Sequence, residues 1–219
     1  MRIKFLIFDL DGTLIDSLAD LTDATNHMLG TFGRQALDSA AVRALVGQGV
    51  RNLVGRAMPG GTDDEVERGL KIFLDFNEAH IADKTRLYPG VRETLDRLQA
   101  LDISLAVISN KNVDLCRKIM AILGIDGFFR AVLGADSLPF RKPSPEPVLK
   151  LLRDFEVTAG STAMVGDSIN DIAAGKEAGV FTVGCIYGYG NSMELAEADY
   201  RIGSFADIVN LPLFVDNPA

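Results

Sequence analysis

The sequence has little cysteine, no block of basic residues and no long apolar run. Its two cysteines, Cys116 and Cys185, stand in apolar patterns that predict buried, reduced thiols rather than a disulfide. No apolar stretch reaches the roughly 18 residues of a membrane span. The short apolar run after Met1 ends in acids, unlike a signal peptide. We therefore expect a cytoplasmic protein without a membrane anchor.

The charge balance argues against two classes of partner. The chain has 22 Lys and Arg residues against 30 Asp and Glu, a formal net charge of -8, and the basic residues are scattered. Such a surface repels nucleic-acid backbones and anionic membranes, so we expect neither as a partner. A local positive pocket for a small anion is still compatible with this balance, and a monomer and a homodimer both stay open.

Short apolar runs alternate with helical patterns along most of the chain, which predicts an α/β fold. Continuous apolar runs between helices are typical of strands that helices cover on both faces of a parallel sheet. The runs lie at residues 3–8, 103–108, 131–133, 162–165 and 182–186. We expect a parallel, Rossmann-like core sheet flanked by helices.

The stretch between the first two strands is too long for one crossover and is helical throughout. Apolar residues recur at helical spacing in 17–33, 39–46 and 50–57, and Thr62 with Glu65 has the form of a capping box before a further helix. We interpret residues 16–84 as an all-helical cap domain inserted after the first strand, with 1–15 and 85–219 forming the core. Because α/β sites form at the carboxyl ends of strands, we expect the insert to act as a lid.

The first predicted strand ends in two acids, within the stretch FLIFDLDGTL. Asp9 and Asp11 can point the same way because Leu10 separates them. Carboxylates this close repel each other unless a cation lies between them, and their oxygens suit Mg²⁺. Gly12 permits a sharp turn, and Thr13 can hydrogen-bond to hold it. The pattern predicts a magnesium site rather than an acidic turn.

Further polar residues follow the later strands. The Ser109 hydroxyl and the backbone amide of Asn110 are donors suited to a phosphate oxygen, and Lys142 can act as a point charge for phosphate. Asp167 can ligate a metal directly, whereas Asp171, one helical turn beyond, would act through a water or Lys142. Taken singly, Ser109 could simply begin a turn, Lys142 could be a solvated loop lysine, and Asp167 could be a helix N-cap. Together, at one sheet edge, they predict a site for a metal-bound phosphate.

The combination of DLDGTL, Ser109 after an apolar strand, Lys142 before PSPEP, and GDSIND resembles the haloacid dehalogenase superfamily of phosphohydrolases. The resemblance extends over essentially the whole chain, and the helical insert is similar to the four-helix cap subclass. The DGTLIDS start, SNK at 109–111, KPSPEP and YGYG at 187–190 look most like phosphoglycolate phosphatases. This resemblance implies Mg²⁺-dependent hydrolysis of a small phosphorylated metabolite, with 2-phosphoglycolate as the favoured substrate.

The resemblance also implies a role for each motif residue. Asp9 would be the nucleophile that forms an aspartyl-phosphate, and Asp11 the general acid and then the general base. Mg²⁺ would be held by Asp9, the backbone carbonyl of Asp11 and Asp167. The phosphoryl oxygens would be held by Ser109, the Asn110 amide and Lys142.

The loop VGQGVR, residues 46–51, is the candidate for binding the substrate's leaving group and so for determining specificity. Gly47 and Gly49 permit close backbone approach, and Arg51 could pair with a substrate carboxylate. A plain turn between cap helices, with a solvated Arg51, explains the same pattern.

Other activities on the same site stay open at this point. A β-phosphoglucomutase-like enzyme or a pyrophosphatase would keep the same core residues. A phosphonate hydrolase would need a cap lysine in an apolar setting, which neither Lys71 nor Lys84 offers. A non-catalytic phosphate-binding module, such as a response-regulator receiver, is disfavoured because Asp11 provides a route to hydrolysis.

Overall fold

The computed structural model describes residues 3–214. The chain divides into two compact units: one joins the first fifteen residues to those from Leu87 onward, and the other is Asp16–Arg86. Within residues 3–214, each helix is too short or too polar to cross a lipid bilayer.

The first unit is built on a six-stranded sheet in the order β5-β4-β1-β6-β7-β8, in which every pair is parallel. This confirms the predicted α/β fold. The remaining two strands, β2 and β3, pair as a separate two-stranded sheet. The strands are β1 (Phe5–Phe8), β2 (Ile15–Asp16), β3 (Arg86–Leu87), β4 (Ser104–Ile108), β5 (Ala131–Leu133), β6 (Thr162–Gly166), β7 (Phe181–Cys185) and β8 (Tyr200–Ile202).

Four α-helices follow β2 without interruption by a strand, and from α5 onward single α-helices alternate with strands as far as β7. Short 3-10 turns occupy Asp126–Phe128, Ala159–Ser161, Phe205–Asn210 and Pro212–Phe214. The α-helices are α1 (Leu18–Thr31), α2 (Ser39–Arg43), α3 (Val50–Ala57), α4 (Asp63–Ala79), α5 (Val91–Ala100), α6 (Val113–Ile122), α7 (Glu146–Asp154) and α8 (Ile169–Glu177).

The central strand β1 is buried along its whole length, which explains its continuous apolar sequence. Its side chains alternate between the two faces of the sheet. Phe5 and Ile7 join the core formed with α7 and α8, through residues such as Leu151. On the other face the ring of Phe8 lies 5.6 Å from that of Phe205. Burial on both faces fixes this strand firmly, and with it the residues that follow it.

The helical unit has a core of its own, formed by the apolar faces of its four helices. The predicted capping box is present: Glu65 N donates to the Thr62 hydroxyl at 3.2 Å, and Thr62 N donates to the Glu65 carboxylate at 2.9 Å. The ends of the unit are tied together by Asp20 at the start of α1. Its buried carboxylate accepts bonds from the amides of Lys84 and Thr85 and from the Thr85 hydroxyl.

Several local predictions need correction. The edge strand β8 and the pair β2–β3 were not predicted, because each is only two or three residues long and, unlike the equally short β5, contains a charged residue. Ser144-Pro145 has the sequence form of an N-cap followed by proline at the first helical position, but α7 begins at Glu146 and Pro145 precedes it. The Ser144 hydroxyl accepts a 3.3 Å bond from the Glu146 amide. Both cysteines are buried free thiols, as predicted.

Candidate active site

The register of the sheet brings the polar strand ends together. Phe8, the last residue of β1, pairs with Val107 of β4 on one side and with Val165 of β6 on the other. Asp9 therefore emerges between the ends of the two neighbouring strands, where Ser109 and Asp167 follow. Parallel strands end at the same edge, so three side chains far apart in sequence meet there.

Lys142 joins two of the acids at this edge. Its Nζ lies 2.9 Å from Asp9 Oδ1 and 2.6 Å from Asp171 Oδ1, and it donates a third bond to the carbonyl of Ile108 at 2.8 Å. Burial acts to lower the pKa of Lys142, but the charges of Asp171 and Asp9 outweigh it and raise that pKa. The ammonium is therefore charged at neutral pH and is held in a fixed position.

Asp171 connects this lysine to the start of α8. Its Oδ2 accepts bonds from the amide and the hydroxyl of Ser168, at 3.0 and 2.6 Å, so Ser168 is the N-cap of the helix. An N-cap role for Asp167, the structural explanation of that residue, is thereby excluded. Asp171 contacts Lys142, which is compatible with one of the two indirect routes expected for it, and its role in the site stays a prediction.

Asp167 is oriented by hydrogen bonds and by close packing. Its Oδ1 accepts a 3.1 Å bond from the Thr13 hydroxyl, and its Oδ2 accepts a 2.6 Å bond from the Tyr189 amide. The Thr13 hydroxyl was predicted to hold its own turn, but it reaches Asp167 instead. Gly12 and Gly188 both pack against the Asp167 side chain so closely that a Cβ at either position would collide with it.

The carboxylates of Asp9, Asp167 and Asp171 form a buried cluster, with one oxygen of each within 4.8 Å of the others. Burial, with the charge of Asp171 and against the opposing effect of Lys142, raises the pKa of Asp9 to about 7. Burial, followed by the charges of Asp171 and Asp9, raises the pKa of Asp167 to about 8. A cation placed among these oxygens would relieve the repulsion, so this donor set fits a hard divalent metal ion.

The loop after β4 carries Ser109 and Asn110, whose contact with a phosphate stays a prediction. Both residues are buried. The Asn110 side-chain amide donates a 2.9 Å bond to the carbonyl of Lys142, and the Ser109 hydroxyl accepts a 3.3 Å bond from the Lys111 amide. The loop after β4 is thus joined to the segment that carries Lys142.

Asp11 has a partner that the residue patterns did not reveal. The Nζ of Lys111 lies 3.0 Å from Asp11 Oδ1 and 2.9 Å from Oδ2, and the two side chains are only 10% and 13% exposed. The motifs contain Lys111 only as the last residue of SNK. Its position beside Asp11 follows from the pairing of β1 with β4, which sequence spacing does not report.

In the helical unit, Gly47 and Gly49 have φ angles of 108° and 86°, a region that favours glycine. Arg51, on α3, pairs with Glu67 of α4, and both side chains are about half exposed. This ion pair agrees with the plainer explanation of the loop. A contact between these three residues and a substrate stays a prediction.

A family model described as haloacid dehalogenase-like hydrolase matches residues 6–185. The chain belongs to this family. Phosphoglycolate phosphatase of Chromobacterium violaceum is 38% identical to this hydrolase over 215 residues, which are 96% of each chain. The phosphoglycolate phosphatase of Neisseria meningitidis serogroup A is also 38% identical, over 94% of this chain and 92% of its own.

The fold of this hydrolase is shared by solved structures. A predicted phosphoglycolate phosphatase from Haemophilus somnus superposes with a TM-score of 0.92 at 34% identity, over 96% of this chain and 98% of its own. The similarity extends over both units of the haloacid dehalogenase-like chain, so the recognised family and the observed α/β fold agree.

Proposed function

We propose that this haloacid dehalogenase-like hydrolase is a Mg²⁺-dependent phosphatase that cleaves 2-phosphoglycolate through an aspartyl-phosphate. One observation carries the chemistry: Asp9 contacts Lys142 and belongs to a buried acidic cluster with Asp167 and Asp171, and Asp11 follows it by two residues. The choice of substrate is supported by relatives named phosphoglycolate phosphatase that match this hydrolase over nearly its whole length.

Asp9 is the nucleophile of the proposed reaction. One of its carboxylate oxygens bonds to phosphorus while the bond between phosphorus and the ester oxygen breaks. Asp11 donates its proton to the departing glycolate oxygen, so the leaving group departs as an alcohol. Asp11 then accepts a proton from the water that attacks phosphorus, which releases phosphate and restores the Asp9 carboxylate.

The phosphoryl oxygens are held by Lys142, the Ser109 hydroxyl and the backbone amide of Asn110. Lys142 is held by the Ile108 carbonyl and Asp171 before substrate arrives, so little reorganisation is needed as charge moves during the reaction. Donors that are positioned in advance favour the transition state over the ground state.

The metal site would use the side chains of Asp9 and Asp167 and the backbone carbonyl of Asp11. When bound, Mg²⁺ neutralises charge on the phosphoryl group and on the nearby acids. Asp171 contributes through Lys142, and Thr13 and the Tyr189 amide keep Asp167 in place.

The helical unit is proposed to serve as the cap that selects among phosphate esters. It begins at Asp16, in the segment that follows Asp9 and the end of β1, and this place in the chain supports the role. Closing a lid removes bulk water and strengthens electrostatic interactions in the reacting site.

A substrate panel tests the proposal. Purified protein is assayed with 2-phosphoglycolate, pyrophosphate, β-glucose-1-phosphate and an aryl phosphate, with Mg²⁺ and after chelation. We expect Mg²⁺-dependent turnover with the highest kcat/KM for 2-phosphoglycolate, and none from a folded Asp9→Asn variant. The matched control is Asp75→Asn, on the exposed face of α4. A preference for pyrophosphate, or isomerisation of the sugar phosphate, would overturn the substrate assignment.

A further inference from the structure

Two lysines lie at the catalytic edge, and they contact different acids. Lys142 contacts Asp9 and Asp171, on the side where the phosphoryl group is expected. Lys111 contacts both oxygens of Asp11. In the proposed mechanism Lys142 binds phosphoryl oxygens, whereas Lys111 has no role.

The backbone of Lys111 is held in place by the surrounding loops. Its amide donates to the Ser109 hydroxyl at 3.3 Å, and its carbonyl accepts a 2.9 Å bond from the Ala135 amide. Gly134 packs against this segment, and a Cβ there would lie 2.7 Å from the Lys111 carbonyl oxygen. The side chain therefore starts from a rigid position and reaches toward Asp11.

The location of Lys111 relative to the reaction follows from the role of Asp11. A general acid has to come within hydrogen-bonding distance of the leaving oxygen. A cation in contact with Asp11 therefore lies near the leaving group, not near the oxygens that stay on phosphorus. An ammonium has three N–H donors, so it can serve an acceptor on the substrate as well as Asp11.

We propose that Lys111 is a specificity-determining residue that binds a carboxylate on the leaving group of the substrate. The inference rests on the proposed function, because glycolate carries its carboxylate on the carbon next to the ester oxygen. That carboxylate would approach Asp11 in a largely buried part of the site, where a carboxylate without a cationic partner is costly. The largely buried ammonium of Lys111 would supply that partner through a charge-assisted hydrogen bond while it stays in contact with Asp11.

The test compares two substrates that differ in this carboxylate. The kcat/KM values for 2-phosphoglycolate and for ethyl phosphate are measured for wild type, Lys111→Met and Lys111→Arg. Both values are expected to fall in Lys111→Met, because Asp11 loses its partner. The fall for 2-phosphoglycolate should be greater by about tenfold or more, and Lys111→Arg should recover most of the preference. Lys118→Met, on the exposed side of α6, is the matched control.

Each result decides between specific alternatives. Equal losses on the two substrates, in an enzyme whose wild type hydrolyses 2-phosphoglycolate, would mean that Lys111 only orients Asp11, and would overturn this inference alone. The same holds if Arg51→Ala changes the preference and Lys111→Met does not. A wild-type enzyme that does not hydrolyse 2-phosphoglycolate would overturn the proposed function and this inference together.

Discussion

The Nζ of Lys142 lies 2.6 Å from Oδ1 of Asp171, and the two side chains are 1% and 0% exposed. A buried ion pair of this kind is costly to break, since removal of one partner leaves the other as an uncompensated charge. The same ammonium also contacts Asp9, so the pair links the stability of the core to the position of the proposed nucleophile.

Replacement of Lys142 by methionine should therefore destabilise the protein and abolish activity. We expect a loss of about 3–5 kcal/mol in the free energy of unfolding, because Asp9 and Asp171 lose their shared cation. Urea denaturation and phosphatase assays measure the two effects. Lys150→Met is the control: this exposed lysine pairs with Asp154 along α7, and its loss should change stability by less than about 1 kcal/mol. A fully stable Lys142→Met variant would contradict this view of the core.

Gly188→Ala should weaken metal binding without direct contact with the metal. The added methyl group would meet the Cβ of Asp167 and the carbonyl oxygen of Gly12, so Asp167 would have to move. We expect a rise of about tenfold or more in the Mg²⁺ concentration needed for half-maximal activity. Gly127→Ala, where a Cβ meets no atom within 4 Å, is the control. Unchanged Mg²⁺ dependence in Gly188→Ala would count against Asp167 as a ligand.

The acidic cluster predicts how metal-free protein responds to pH. Asp9 and Asp167 have pKa values raised from 3.8 to about 7 and about 8, so the folded state keeps protons that the unfolded state has lost. Stability without metal should therefore fall as pH rises from about 4 to about 8. Mg²⁺ displaces these protons, so the stabilisation that it provides should grow over the same range.

Urea midpoints measured in chelator and in Mg²⁺ across this pH range check the prediction. Asp167→Asn has one fewer titrating group and should show a shallower decline in chelator. A metal-free wild type that becomes more stable than Asp167→Asn as the pH increases would contradict the assignment.

The helical unit depends on Asp20, which accepts bonds from Lys84 and Thr85 at its opposite end. Asp20→Asn should cost about 1–3 kcal/mol, because an amide offers one acceptor oxygen in place of two and places two N–H donors among buried donors. Hydrogen exchange at the Lys84 and Thr85 amides should accelerate. Asp23→Asn is the control, since Asp23 makes a more exposed pair with the Lys84 side chain. Unaltered exchange in Asp20→Asn would refute the role.

Much of the fold could be predicted because its signals are local. Buried parallel strands are continuous apolar runs, and the capping box at Thr62 and Glu65 lies within four residues. The strand β8 escaped prediction because Tyr200, Arg201 and Ile202 form a three-residue edge strand with a charged centre. Such a segment has no periodicity that separates it from a loop.

The same distinction separates the site residues that could be predicted from local signals from the contacts that could not. Asp9, Ser109 and Asp167 could be found because each directly follows an apolar run, and parallel strands end at one edge. The pairing of Lys111 with Asp11, and of the Tyr189 amide with Asp167, could not be found. Each depends on sheet register and loop packing between segments separated by 100 and 22 residues.

In the proposed mechanism Asp9, rather than water, makes the first bond to phosphorus. Stereochemistry tests this step: 2-phosphoglycolate made chiral at phosphorus with oxygen isotopes, or an aryl phosphate labelled in the same way, donates its phosphoryl group to an acceptor alcohol. Two successive displacements, one at Asp9 and one at the acceptor, predict retention of configuration at phosphorus. Inversion would show a single direct displacement and would contradict the account.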